Sequence, residues 1–178
     1  MPMRSHGLTL SVASAAVTAA ALGVFGGLTT ATPASAASAA GSVCYLSPAA
    51  KVCDNQDPKD TGCWDSSAYV ANHAELLTAD NRSVGTMQNW YSPHCGTNWA
   101  RFVPNGNTPT DGTALMTVSV CLGVNTSSHC SDQYSVYRTR STQPPWSNMI
   151  YAKTTPAQAY FGVSDNYQGW GLEDSVVA

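Results

Sequence analysis

Polar and apolar side chains alternate with a period of two along much of the second half of the chain, the pattern of strands with one buried face. Between Ala114 and Cys121, Met116, Val118 and Val120 share one face, and Thr117 and Ser119 the other. Between Thr97 and Val103, Trp99, Arg101 and Val103 stand opposite Asn98, Ala100 and Phe102. Gln133 to Arg140 sets Tyr134, Val136, Arg138 and Arg140 against Ser135, Tyr137 and Thr139. Tyr69 to Thr78 fits a strand or a short helix. Ala79-Asp80-Asn81-Arg82 supplies turn residues, and Val84 to Tyr91 reads as the returning strand of a hairpin. PNGNTPTDG at 104–112 is a loop by composition. Pro144-Pro145 breaks the chain, after which Asn148 to Ala152 and Ala159 to Val163 are candidate short strands. The terminal NYQGWGLEDSVVA is low in pattern and is expected to be partly loose. Many short strands with frequent turn signals predict an all-β domain, a small antiparallel β-sandwich or barrel.

The first residues follow a different rule. After Arg4 and His6, Leu8 to Leu28 carries no charged side chain, and Ala34-Ser35-Ala36 then offers the small-x-small pattern of a signal-peptidase site. Residues 1–36 are expected to be a cleaved signal peptide, 37–43 a flexible mature N-terminus, and 44–178 a single secreted domain. An uncleaved N-terminal anchor is the alternative, and Ala39 a second cleavage position. The full chain has a formal net charge of −3, and loss of Arg4 makes the mature chain one charge more negative. Its basic residues are scattered, which argues against nucleic acid as a partner. No membrane association is expected after cleavage, and a monomer is.

All six cysteines, Cys44, Cys53, Cys63, Cys95, Cys121 and Cys130, follow the leader. In an oxidising compartment an even set of thiols is expected to be cross-linked. Six cysteines allow fifteen connectivities, which sequence alone does not decide. Loop geometry ranks Cys121–Cys130 and Cys44–Cys53 as short closures, with Cys63–Cys95 then tying an irregular, cysteine-rich N-terminal loop to the central hairpin.

The segments CDNQDPKDTGC (53–63) and YSPHCGTNWARF (91–102) resemble the YjfA-like family of small secreted bacterial proteins, with WSNMI (146–150) a weaker match. The resemblance spans about Cys44 to Ile150. It implies a secreted β-rich fold and no assigned activity. The chain departs at Trp90, where the family usually has arginine, and in the cysteine pair of CLGVNTSSHC.

Chemical motifs are sparse. There is no GxSxG, HExxH, SxxK or phosphate-binding glycine loop. His94 and Cys95 are neighbours, but adjacent strand or turn side chains point apart and do not make a dyad. No catalytic residue, metal or cofactor is assigned. Calcium on the Asp54–Asp60 loop is a minor alternative, since DNQDPKD lacks the glycine and terminal glutamate of an EF-hand. Asn81-Arg82-Ser83 and Asn125-Thr126-Ser127 match the N-glycosylation pattern. The aromatic residues are the best lead. Five tryptophans and eight tyrosines serve sugar stacking or protein anchoring when exposed. Trp90, Tyr91, Trp99 and Arg101 are the candidate ligand-binding residues; alternatively, Trp90 and Trp99 simply pack across the hairpin. The expected function is a non-enzymatic extracellular module binding a glycan or protein. The alternatives are a small hydrolase using His73 or His94 with a carboxylate, and a protease inhibitor presenting LGVNTSSH.

Overall fold

A computed structural model describes residues 42–125, 129–165 and 170–178. The expected leader and residues 126–128, which include Thr126 and Ser127 of the glycosylation pattern and part of the LGVNTSSH loop, lie outside them. The chain forms two short helical turns, α1 (Val43–Leu46) and α2 (Ala50–Cys53), followed by eight strands. These are β1 (Tyr69–Leu77), β2 (Ser83–Ser92), β3 (Thr97–Pro104), β4 (Asp111–Leu122), β5 (Tyr134–Thr139), β6 (Ile150–Tyr151), β7 (Ala157–Asp165) and β8 (Trp170–Val177). Sheet A has the order β1-β2-β3-β6 and sheet B the order β5-β4-β7-β8, with every pairing antiparallel. The all-β expectation holds, and of sandwich and barrel it is the sandwich that forms.

The alternation explains the core. Met87, Ala100 and Phe102 from sheet A meet Met116, Val118, Phe161 and Val163 from sheet B in one buried cluster. One strand expectation needs correction. The described part of the terminal segment, residues 170–178, is not loose: β8 pairs with β7 from Gln158↔Val177 to Asp165↔Trp170, and Val176 joins the core. As an edge strand whose described outer positions are polar, β8 shows no alternation strong enough to read. The segment Tyr69–Leu77 resolves as strand, because β2 offers it a partner along its whole length.

Three disulfides form, Cys44–Cys53, Cys63–Cys95 and Cys121–Cys130, the pairing that loop geometry ranked first. The Cys63–Cys95 bridge fixes the N-terminal segment, residues 42–68, over the outer face of sheet A as a flap. A second apolar cluster fills the space beneath it: Cys44, Cys53, Cys63, Cys95, Trp99 and Met149 are buried there. Sheet A is thus covered on both faces near β3. Among the described residues no helix is long and apolar enough to cross a membrane, and the three disulfides are compatible with an extracellular protein.

Candidate functional site

The sequence candidates divide between two faces. Trp90 and Trp99 are cross-strand partners on the outer face of sheet A, with ring centres 5.9 Å apart. Trp99 is fully buried under the flap and touches no solvent, which corrects its assignment as a ligand contact. Packing across the hairpin accounts for it, as the alternative held. Trp90 is half-buried, and Gln88 on the same face fixes its ring by accepting from Nε1 at 2.9 Å. Arg101 is the cross-strand partner of Gln88, with its Cζ 5.9 Å from the Trp90 ring centre. Tyr91 lies on the opposite face. It meets Tyr69 edge-on at 5.9 Å and lines a small cleft of about 390 Å³ with Asn98 and Lys153. The four residues therefore do not form one site.

The histidines stand away from both clefts. His94 is exposed, stacks on Tyr45 at 3.9 Å, and sets Nε2 2.9 Å from that residue's carbonyl oxygen. His73 is exposed on β1. The Asp65 carboxylate lies close enough to His94 to interact with it electrostatically, and neither His73 nor His94 lines either of the two clefts. In the Asp54–Asp60 loop, the Asp54 and Asp57 carboxylates are engaged in hydrogen bonds. Asp54 accepts from the Tyr151 N–H at 2.6 Å and pairs with His129 at 2.9 Å. Asp57 accepts from the N–H groups of Lys59 and Asp60 and from Trp146 Nε1. These carboxylates are directed at separate partners rather than at a common centre. The one close cluster of metal-type ligand atoms among the described residues is Cys44, Cys63 and Cys95, all held in disulfides.

Sequence reasoning missed a broad concavity on sheet B. A cleft of about 1010 Å³ lies over the outer face of sheet B. Its rows follow from strand register: Thr117 on β4 pairs with Gly162 on β7, which pairs with Glu173 on β8; beside them Ser119 pairs with Tyr160, and Tyr160 with Ser175. Outward positions recur at every second residue, so these side chains necessarily share one surface. Gly162 places no side chain at the centre of that surface, which lowers the floor and lets a ligand approach the backbone. Tyr160 forms one wall. Its hydroxyl donates to Gln158 Oε1 at 3.0 Å; Gln158 is almost fully buried and donates from Nε2 to Ser175 Oγ at 2.7 Å. Gln158 Oε1 also accepts from the Asn125 N–H at 2.5 Å. A buried amide thus holds both the tyrosine wall and the edge loop.

The lining has hydroxyls on Thr117, Ser119, Ser131, Tyr160, Ser164 and Ser175, together with Glu173 and Asp174, and no basic side chain. Glu173 and Asp174 are consecutive on one strand, so their side chains leave on opposite faces and do not oppose each other across the cleft as paired catalytic carboxylates must. The surface is chemically suited to exchanging hydrogen bonds with a hydroxyl-rich, uncharged molecule.

Comparison with protein-family profiles, curated proteins and solved structures finds no match to the chain.

Proposed function

We propose that the protein is an exported, non-enzymatic carbohydrate-binding module that takes a neutral glycan in the cleft on sheet B. One observation carries this reading: a broad trough floored by Gly162, walled by Tyr160, and lined by hydroxyl and carboxylate oxygens with no cation. Sugars present both polar hydroxyls and flat C–H faces, and bind where fixed polar groups and an aromatic ring converge. The buried Gln158 network supports the reading, because it holds part of the surface in place before a ligand arrives. Export is supported by the apolar leader with its small-residue site, and by three disulfides in one chain. On this reading the mature protein begins at Ala37, which mass spectrometry of the secreted form would read directly.

Calorimetry with soluble neutral polysaccharides tests the site. Filling the floor with Gly162→Val, a β-compatible residue in a strand, is expected to weaken binding about tenfold or more while leaving the melting temperature nearly unchanged. Tyr160→Ala is expected to cost a similar factor. Binding that survives both substitutions, failure of every neutral polysaccharide to bind, or release of new reducing ends during incubation would each defeat the proposal.

A further inference from the structure

The outer face of sheet A has the opposite chemistry. Lys59 Nζ lies 3.7 Å from the ring centre of Trp146 and 4.9 Å from that of Trp64. Arg101 Cζ lies 5.5 Å from Trp64 and 5.9 Å from Trp90. Two cations therefore meet the same Trp64 indole, and among the described residues neither has a carboxylate within ion-pairing distance. The one ion pair among the described residues is His129–Asp54. Two acceptors beside the cluster are engaged by its indoles. Asp57 receives Trp146 Nε1 at 3.0 Å, and Gln88 receives Trp90 Nε1 at 2.9 Å. Donors, in contrast, are left over. Arg101 Nε is buried without an acceptor; Trp99 Nε1, two positions away on β3, is also unpaired but has no solvent exposure and is out of a ligand's reach. Buried donors normally find partners, and leaving one unpaired costs about 1–3 kcal/mol.

A group with two cations that form no ion pair among the described residues, set against half-buried indoles, is complementary to a ligand that brings acceptor oxygens, negative charge and an apolar plane. We propose that Lys59, Trp64, Trp90 and Arg101 form a second binding site, separate from the sheet B cleft, for an acidic sugar chain whose units carry carboxylates. A uronate unit supplies all three features on one small ring: the carboxylate meets the Arg101 fork, and the C–H face lies along the flanking indoles. Inorganic phosphate or sulfate offers the charge without the plane. An acidic peptide offers carboxylates on flexible stems without a flat apolar face beside them. Burial pushes the Arg101 pKa down from its ordinary value, and a bound carboxylate would offset that desolvation.

The test uses the full secreted chain with a galacturonate hexamer, a neutral glucose hexamer, a glutamate hexapeptide and inorganic phosphate, followed by tryptophan fluorescence and calorimetry. The galacturonate hexamer is expected to perturb the fluorescence and to bind more tightly than the other three probes. Its affinity is expected to fall about tenfold with Arg101→Gln, less with Arg101→Lys, and several-fold with the exposed Lys59→Gln. Added salt is expected to weaken it. Tyr160→Ala, on the other sheet, is expected to leave this affinity unchanged, which separates the site from the neutral-glycan cleft. Equal or tighter binding of any other probe at the sheet A site, read as a tryptophan fluorescence change that Lys59→Gln abolishes and Tyr160→Ala does not, overturns the proposal. So does no binding of the galacturonate hexamer, or affinity unchanged in both Arg101→Gln and Lys59→Gln. Lys59→Gln keeps the test decisive if the Arg101 variants do not fold.

Discussion

Asn89 is a polar side chain with no solvent exposure between two sheets of apolar residues. Its Nδ2 donates to the carbonyls of Ala157 and Val176 at 2.9 and 3.0 Å, and its Oδ1 accepts from Asn98 Nδ2 at 2.9 Å. One amide thereby joins sheet A to β7 and β8. Asn89→Ala strands three partners in the interior, and is expected to cost about 2–4 kcal/mol in urea unfolding; a loss below about 0.5 kcal/mol would contradict this account. Asn89→Asp keeps the shape but turns a donor pair into acceptors facing carbonyls, and is expected to cost more at neutral pH. Nothing local in the sequence marks this residue, since its carbonyl partners lie 68 and 87 positions away. Gly85 is similar: a Cβ there would sit 2.5 Å from Phe102 Cζ and 2.7 Å from the Val103 carbonyl oxygen. Gly85→Ala is expected to lower stability by about 1–3 kcal/mol through overpacking. Tyr91 gives a pH signature. Burial, and then the nearby Tyr69 and Tyr151, raise its pKa above 10.0. The unfolded chain thus loses this proton first. The contribution is whole below the unfolded phenol pKa, and is lost as pH rises toward the folded value. Between pH 9 and 11 the melting temperature of Tyr91→Phe is expected to fall less steeply than that of the parent.

At the scale of elements, legibility followed the number of faces buried. β4 hides one face in the sandwich, and its alternation was plain in the sequence; β3 read as a strand too, but not as one covered on both faces. The tryptophans of β2 and β3 were readable as a cross-strand pair, but not as a pair lying beneath a flap. The flap has no strand or long helix of its own, and its shape comes from cross-links and hydrogen bonds to residues far along the chain. The sheet B cleft stayed hidden for a different reason. Its serines, threonines and glycine look like ordinary solvated positions, and only the lateral register of separate strands assembles them. Because the flap carries its own apolar cluster, it behaves as an element with its own cohesion. Replacing Cys63 and Cys95 by serine is expected to remove about 3–4 kcal/mol of constraint. In that variant tryptophan emission should shift to the red at lower denaturant than the far-UV signal of the sandwich. Coincident transitions would show instead that flap and sheets unfold as one unit.

For the molecule as a whole, the two sheets turn different chemistries outward. Sheet B presents hydroxyls and carboxylates, and sheet A presents cations held on indoles. The flap and the β4–β5 connection are clasped together by His129–Asp54 and by the Asp132 N–H donating to Asn55 Oδ1 at 2.7 Å, so the two sheets are joined at their rims as well as through the core. Under the flap, the Cys44 and Cys63 sulfurs, which belong to different bridges, lie 3.5 Å apart. That proximity is expected to open a route to mispairing while the chain oxidises. A thiolate at Cys44 is already placed to attack Cys63 and expel Cys95 as a thiolate, conserving the number of bonds while scrambling their identity. Peptide mapping of Cys53→Ser should therefore recover a Cys44–Cys63 isomer alongside the Cys63–Cys95 form, and an isomerase in the folding compartment would be needed chiefly for this half of the protein.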